Sequence, residues 1–566
     1  MPKIEISQKK LYSELGKKLS LTELEDILTV AKAELDGLDE EEGLLKIELN
    51  DTNRPDLWST YGLARQILSY WTKTSSKYDF IKPYNEKQDT GERVIEVSEE
   101  LKNIRPYIAG FVIKGEPIDD DMLREIIQMQ EKLCWNYGQK RKSIAMGVYR
   151  ADMLRYPVKY IAADPDATQF VPLGMDKKLS LKKILEEHPK GQDFGWILDG
   201  FKKYPFLTDS QGEVLSFPPI INSARLGAVE IGDSNLFIEL TGLDIKTLAL
   251  ACNIVACDLH DAGFEILPVT VKYPYDTPLG REVSTPCYFQ EEISIDIGSV
   301  KKLLGQEFKT PEIGESLEKM GLEYKIEKDL ITVKPPVYRN DFLHPVDIAE
   351  DIMIGYGINN FVPEMPRDFT VGRLSEAEEY NRQVKKIMIG LGFQEMIFNY
   401  LGSRKDYIEK MCTDDKNVIQ VANPMSENYE FVRPSILPSL LAAEAASGNA
   451  VYPHNIFETG KTAVKNAEDP YGSITINSLG FLSADAKADF NLVSSQVSAL
   501  LFYLSIDYRL EEYTDPRFIP GRCAIIKAGN ANIGIMGEIH PQVLENWGIS
   551  MPCTACEINL DIINKN

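Results

Sequence analysis

The sequence predicts an α+β multidomain chain: two related small α/β modules, a central α/β domain, and a C-terminal antiparallel sheet with flanking helices. Three observations carry this reading. Residues 6–67 and 295–352 repeat one pattern. The stretch 90–275 between them alternates strand-like and helical runs. Beyond residue 369 an amphipathic helix precedes a series of apolar, strand-like segments.

At 566 residues the chain has room for about three or four domains. Hydrophobic residues make up 43% and charged residues 26%, an ordinary globular balance that excludes a disordered chain. No apolar run is long enough to span a bilayer, and the start lacks the apolar core of a secretory signal, so the expected location is cytoplasmic, with no membrane partner. With 62 basic against 86 acidic residues, the net charge of −24 argues against a protein that coats nucleic acid; one local RNA-binding surface is still compatible. Eight scattered cysteines make no disulfide framework. Cys553 and Cys556 form a CxxC without the second pair a zinc site wants, so they read as structural.

The first module, residues 1–80, opens with ISQKKLYSELGKKLSLTELEDIL and closes with NRPDLWSTYGLARQI. The second, residues 288–365, has ISIDIGSVKKLLGQEFKTPEIGESLEKMGL and YRNDFLHPVDIAEDI. Leu15-Gly16 matches Leu304-Gly305, and Arg54 and Asp56 match Arg339 and Asp341. Each copy reads as a strand, a short helix, an extended segment ending in a polar turn, and a closing helix. Two separated copies make one module used twice, not a solenoid.

In the central domain, residues 90–275, GFVIKGEPI and LFIELTG read as strands, and DDDMLREIIQMQEKLCWNY and IKTLALACNIVACDLHDAG as helices. The Pro- and Gly-punctuated VKYPYDTPLGREVSTP, 271–286, reads as a linker. The last domain, residues 369–566, starts with the helix SEAEEYNRQVKKIMIGLGF. The strand-like segments MIFNYL, VIQVAN, NIFETGKTA, SITINSLGFLS and CAIIKAGNANIGIMGEI follow.

Two constellations carry candidate chemistry. After Arg339-Asn-Asp341, Pro345 suits the first position of a helix. That helix sets Asp347, Glu350 and Asp351 at i, i+3 and i+4 on one face, with Asp341 in the turn before it. Such acids can complement the helix dipole, pair with Arg339, or hold a hard cation such as Mg²⁺. The first copy has Asp56, Gly62, Arg65 and Gln66 at the equivalent points, so the last three acids are no requirement of the module's fold. In the second constellation, Ser216-Phe-Pro-Pro-Ile-Ile-Asn222-Ser223 reads as a rigid extended segment, and Glu239 and Thr241 share one face of a strand. These groups could orient a water or a hydroxyl, or be ordinary strand-edge polarity. The basic run in GQKRKSIAMGVYR, 138–150, could touch phosphate or be a solvated turn. No phosphate-binding glycine loop is present.

Together with NRPDLWSTYGLAR, PPVYRNDFLHPVDIAEDIMIGYGINN, NPMSENYEFVRPSILPSLL, FETGK, IPGR and MGEIHPQVLENWGI, these motifs run the whole length of the chain in order. The chain resembles the beta subunits of phenylalanyl-tRNA synthetase in their archaeal/eukaryotic form. The resemblance implies an α2β2 tetramer whose alpha subunit binds ATP and attaches phenylalanine to tRNA-Phe. It implies a central editing domain that hydrolyses tyrosine misattached to tRNA-Phe, with a pocket involving Leu207, Ser216, Glu239 and Thr241 and, in the same motif, Asn222 and Ser223. Glu239 would read the tyrosine hydroxyl, Ser216 and Thr241 would position the ester or water, and Leu207 would form a wall. It implies Mg²⁺ at Asp341, Asp347, Glu350 and Asp351. It also implies a C-terminal class II synthetase-like core, packed on the alpha subunit. Arg433 stands in a segment like the second class II motif, but the third motif's arginine is missing, so this core is expected not to catalyse. The alternatives are a free-standing aminoacyl-tRNA deacylase and a purely structural subunit with an inactive pocket.

Overall fold

The computed structural model describes residues 2–367 and 369–563. It divides into two units, Met1–Met365 and Pro366–Asn566. No helix among the described residues is long and apolar enough to cross a membrane.

The first unit contains the duplicated module twice, with the same topology in each copy. The first runs through strand Lys3–Ser7, helices Gln8–Leu15 and Leu21–Leu28, strands Ala33–Asp39 and Leu44–Leu49, and helix Thr60–Thr72. The second runs through Ile293–Asp296, Ile297–Leu304, Thr310–Lys319, Glu323–Glu327, Leu330–Lys334 and Val346–Tyr356. In both sheets the last strand lies between the other two. The extended segment expected in each copy is thus a β-hairpin. The matched glycines have one job: Gly16 and Gly305 each end the first helix with φ 65°, a left-handed cap that side chains disfavour. Leu11, Leu24, Ile47, Ile313, Ile331 and Ile352 bury into one core shared by both copies.

The central domain is a ten-stranded sheet. Strand Asn235–Gly242 runs antiparallel between Tyr107–Lys114 and the edge strand Ile144–Arg150. Helix Ile245–Asp261 is apolar nearly all round, as a helix buried on most sides must be. The far end of the sheet carries Tyr204–Thr208, Val214–Phe217 and Ile221–Asn222. The sheet curls so that the chain after this end meets the opposite edge: the Arg150 amide donates to the Leu226 carbonyl at 3.1 Å. Residues 271–286 are not a linker. Glu265–Lys272 and Glu282–Thr285 pair antiparallel inside this sheet, and the prolines and glycine fall mainly in the turn joining them.

The second unit is a seven-stranded sheet, antiparallel but for its first pair, in the order Gln394–Glu395, His454–Lys465, Ser473–Ala484, Cys553–Asn559, Ala531–Ile539, Phe518–Ala528, Arg509–Glu512. Helices Glu376–Gly390 and Phe490–Tyr503 cover one face, and Leu437–Ala446 and Pro541–Trp547 the other. MIFNYL and VIQVAN do not form the strands expected of them. The first contributes only the end of a two-residue strand, Leu401–Gly402, and the second only an isolated bridge from Gln420 to Phe431. Cys553 and Cys556 sit three apart on one strand and therefore enter opposite cores as free thiols.

Candidate functional site

The site in the central domain begins with two glycines. Glu239 lies opposite Gly110 on one neighbouring strand and Gly147 on the other. A Cβ at Gly147 would stand 2.0 Å from the Tyr149 hydroxyl and 2.8 Å from Glu239 Oε1. The bare backbone lets the Tyr149 hydroxyl donate to Glu239 Oε1 at 2.8 Å. Glu239 Oε2 is buried and has no partner. Burial pushes the Glu239 carboxyl up to about 7, against the opposing pull of Tyr149 and of Arg105. Ser216 Oγ is also buried, beside the Tyr149 hydroxyl, without completing a hydrogen bond.

Glu239 and Ser216 line a cleft of about 900 Å³, together with Asn222, Met146, Val148 and the Pro218–Pro219 wall. Cys134 lines it as well, and burial pushes its thiol up to about 11, away from the reactive thiolate. No histidine lines the cleft. Its floor offers two unpaired buried acceptors and one carboxyl that titrates near neutrality. That arrangement suits a ligand hydroxyl, because an apolar ligand of the same shape would leave Glu239 Oε2 unpaired.

Of the six residues expected here, the fold brings Ser216, Asn222 and Glu239 into the cleft. Thr241 shares Glu239's strand face, but its hydroxyl accepts from Arg105 Nε at 2.9 Å and it is fully buried. Leu207 pairs with Ser216 in register and packs in the core with Tyr149 and Tyr160. Ser223 turns its hydroxyl to the Leu226 amide at 3.3 Å. Two participants went unread in the sequence, Tyr149 and Arg105. Arg105 also donates to the carbonyls of Thr241 (2.6 Å) and Lys142 (2.8 Å), tying the Glu239 strand to the turn before Ile144–Arg150. Tyr149 follows Gly147 by two, so alternation places them on one face; nothing local says that Glu239 is across from them. Gly147→Ala should displace Tyr149 and cost about 1–3 kcal/mol of stability. The melting temperature would check this, as would a crystal structure in which the Tyr149–Glu239 hydrogen bond is broken.

The acidic constellation is organised by Arg339, which is 2% exposed. It pairs with Asp341 at 2.6 Å and with Asp351 at 2.6 Å. Burial works against both acids. Arg339 overcomes it at Asp341, which falls to about 2, while at Asp351 burial prevails and the pKa rises. Asp347, in the first helical turn, reaches back to the preceding loop and accepts from the amides of Leu343 and His344 at 2.7 Å each. Glu350 Oε1 takes Lys32 of the first module at 2.5 Å. Pro345 is the residue before the helix and not its first. The first copy repeats the arrangement without the last three acids: Arg54 grips Asp56 at 2.8 Å and donates to Gln66, the counterpart of Asp351, at 3.0 Å. Arg65, the counterpart of Glu350, docks on Asp258 and Asp261 of the central helix.

The four acids do not surround one point, and no three His, Cys, Asp or Glu side chains among the described residues do. Asp341 and Asp351 are spoken for by Arg339. Asp347 and Glu350 are only partly buried and each engages through a single oxygen. That pair fits a largely hydrated Mg²⁺, which takes one or two carboxylates and keeps its waters, and does not fit a dry cage.

In the second unit Arg433 is fully buried. It holds Glu458 with two bonds, at 2.8 and 3.0 Å, donates to the Lys461 carbonyl at 2.8 Å, and lies 4.4 Å from the Tyr400 ring centroid. A Cβ at Gly460 would be 2.3 Å from its guanidinium, which explains the glycine of FETGK. This arginine is a structural tie, with its donors turned inward. Arg150 is likewise occupied, by Glu230 and Asp233.

Comparison with known proteins defines the class first. Residues 293–358 match the tRNA synthetase B5 domain, and 358–560 match the phenylalanyl tRNA synthetase beta chain CLM domain. The chain is a subunit of an aminoacyl-tRNA synthetase. It is 47% identical to the phenylalanine–tRNA ligase beta subunit of Borrelia hermsii, over 100% of both chains, and 46% identical to that of Borreliella burgdorferi strain ZS7, over 99% of both. An N-terminal fragment of the phenylalanyl-tRNA synthetase beta subunit from Pyrococcus horikoshii covers 63% of this chain and is itself covered completely, at 37% identity and TM-score 0.58. The chain belongs to the phenylalanine–tRNA ligase beta subunit family.

Proposed function

We propose that this chain is the editing and assembly subunit of its ligase: its central cleft hydrolyses tyrosine misattached to tRNA-Phe. The observation that carries this is the buried, unpaired Glu239 Oε2 on the cleft floor, backed by Tyr149 and beside an equally unpaired Ser216 Oγ. A tyrosine side chain brings one hydroxyl to satisfy that acceptor. Phenylalanine brings none and leaves the carboxyl desolvated and unpaired, so the pocket favours the wrong amino acid for removal. Arg105 and the two glycines hold the strand pair that aims the carboxyl, and the Pro-Pro wall with Met146 and Val148 excludes water from the ring. In this reading the attacking water is positioned near Ser216, whose hydroxyl has no partner of its own. The direct test is hydrolysis of Tyr-tRNA-Phe against Phe-tRNA-Phe by the assembled enzyme; equal rates on both would sink the reading.

The phenylalanine-attaching step belongs to an alpha partner, in an α2β2 assembly that binds ATP on the alpha chains. The inward-turned Arg433 supports this, since it offers no group to a nucleotide phosphate. We expect no charging of tRNA-Phe by this chain alone and full charging after adding the alpha subunit. Mg²⁺, where bound, would sit on Asp347 and Glu350 and lend assembly an added positive charge. The double change Asp347→Ala with Glu350→Ala should then lower the metal content of the assembled enzyme, measured by atomic emission.

A further inference from the structure

We propose that the mouth of the cleft receives the unpaired 3′ end of the RNA, with Trp135 as a stacking platform for a base and Lys140 and Lys190 binding phosphate. This rests on reading the cleft as a deacylation site and names how its substrate is held. The observation begins in the backbone. Helix Asp120–Lys132 widens into a π-turn, Leu133–Tyr137. Three consecutive non-glycine residues then take left-handed conformations, Gln139 (φ 51°), Lys140 (54°) and Arg141 (68°). Side chains disfavour that region, and a run of three is held only by its surroundings. Here the Lys140 amide donates to the Trp135 carbonyl at 2.9 Å and the Arg141 amide to the Cys134 carbonyl at 2.8 Å.

The turn folds the basic run back over the aromatic residues of the cleft mouth. Lys140 Nζ stands 5.4 Å from the Trp135 ring centroid. Trp135 remains 53% exposed and meets Phe194 edge-on at 6.3 Å. Lys190 Nζ and the Arg141 guanidinium lie 5.9 and 4.3 Å from the Phe194 centroid. Trp135, Arg141, Phe194 and Lys190 line the same cleft as Ser216 and Glu239. Arg141 is committed inward: it donates to the carbonyls of Pro219 (3.3 Å) and Ile220 (2.8 Å), which makes it a positioning residue for the wall. Lys140 and Lys190 are exposed and have no acidic partner among the described residues, in a chain of net charge −24. Glu131 also lines the mouth, as do Lys3 and Lys132. An exposed indole beside free cations is the pairing by which proteins hold single-stranded nucleic acid without reading its sequence. An amino acid esterified to a terminal ribose can reach Glu239 only if the last nucleotides occupy this mouth.

The test is steady-state hydrolysis of Tyr-tRNA-Phe by the full chain assembled with its alpha partner. Trp135→Ala should raise KM about tenfold while kcat changes little, and Trp135→Phe should recover part of it. Lys140→Ala with Lys190→Ala should raise KM and flatten its salt dependence, by about 0.7 in log–log slope for each lysine–phosphate interaction removed. An unchanged KM in both variants, with Glu239→Ala inactive, overturns the mouth assignment and leaves the cleft reading standing. A fall in kcat alone also overturns it. If the unaltered enzyme does not hydrolyse Tyr-tRNA-Phe, the cleft reading fails and this inference fails with it.

Discussion

Glu239→Ala should slow hydrolysis of Tyr-tRNA-Phe by about 100-fold or more and remove most of the preference for tyrosine over phenylalanine. Loss of a buried polar group built to meet one substrate hydroxyl removes the penalty that a substrate lacking it pays, and sites of this kind discriminate by up to about 10⁴ to 10⁵. Glu239→Gln separates the two roles open to the carboxyl. Glutamine still accepts a hydroxyl but neither titrates nor takes a proton. With the parent carboxyl at about 7, tyrosine preference should grow as pH rises through 7, because the ionised form is the stronger acceptor. In the Gln variant the profile should be flat, with discrimination partly retained if the group reads the hydroxyl, and with hydrolysis lost if it serves as a base.

The same carboxyl makes a stability prediction whose sign is fixed by the direction of its shift. Its folded value, about 7, lies above its ordinary 4.5. Between those values the folded state binds more protons than the unfolded, so stability falls as pH rises through that window. Glu239→Gln should match the parent near pH 4 and exceed it at pH 8, by at most roughly 3 kcal/mol. Denaturation midpoints at the two pH values would show it; equal differences at both would mean that the carboxyl is not held uncharged by burial.

The second large effect is expected at Arg339. Arg339→Met leaves Asp341 and Asp351 buried without their partner, and breaking such a pair from one side costs about 3–5 kcal/mol. The loss should appear as a marked drop in the first unit's melting temperature. Adding Asp351→Asn should restore part of it, since it removes one of the two buried acids left without a partner, and the first module carries the neutral Gln66 at this point. A mild effect of Arg339→Met, with no rescue, would show that solvent reaches these acids and that they are freer to hold a metal than the ion pairs suggest.

Much of this protein was legible from local pattern. The duplicated module followed from Leu-Gly and Arg-x-Asp recurring at matched points, because a helix that ends in a left-handed cap asks for glycine wherever it is used. Strand Asn235–Gly242 and helix Ile245–Asp261 were legible by length, since a short apolar run suits a strand and a long one a helix. Glu239 and Ser216 stood out as polar groups in apolar segments. The prolines of 271–286 misled, since a β-hairpin between paired strands has the same punctuation as a linker.

Only the tertiary structure decided which of those polar groups stayed available. Period-two alternation puts Glu239 and Thr241 on one face alike. Arg105, distant in sequence, takes the threonine and leaves the carboxylate one free oxygen. Helical spacing likewise groups Asp347, Glu350 and Asp351, but the distance to Arg339 and Lys32 sorts them into one neutralised acid and two partly exposed ones. Spacing along a chain determines which side chains share a face. What they meet there depends on non-local approach, and for a buried charge the identity of that neighbour outweighs everything in its own segment.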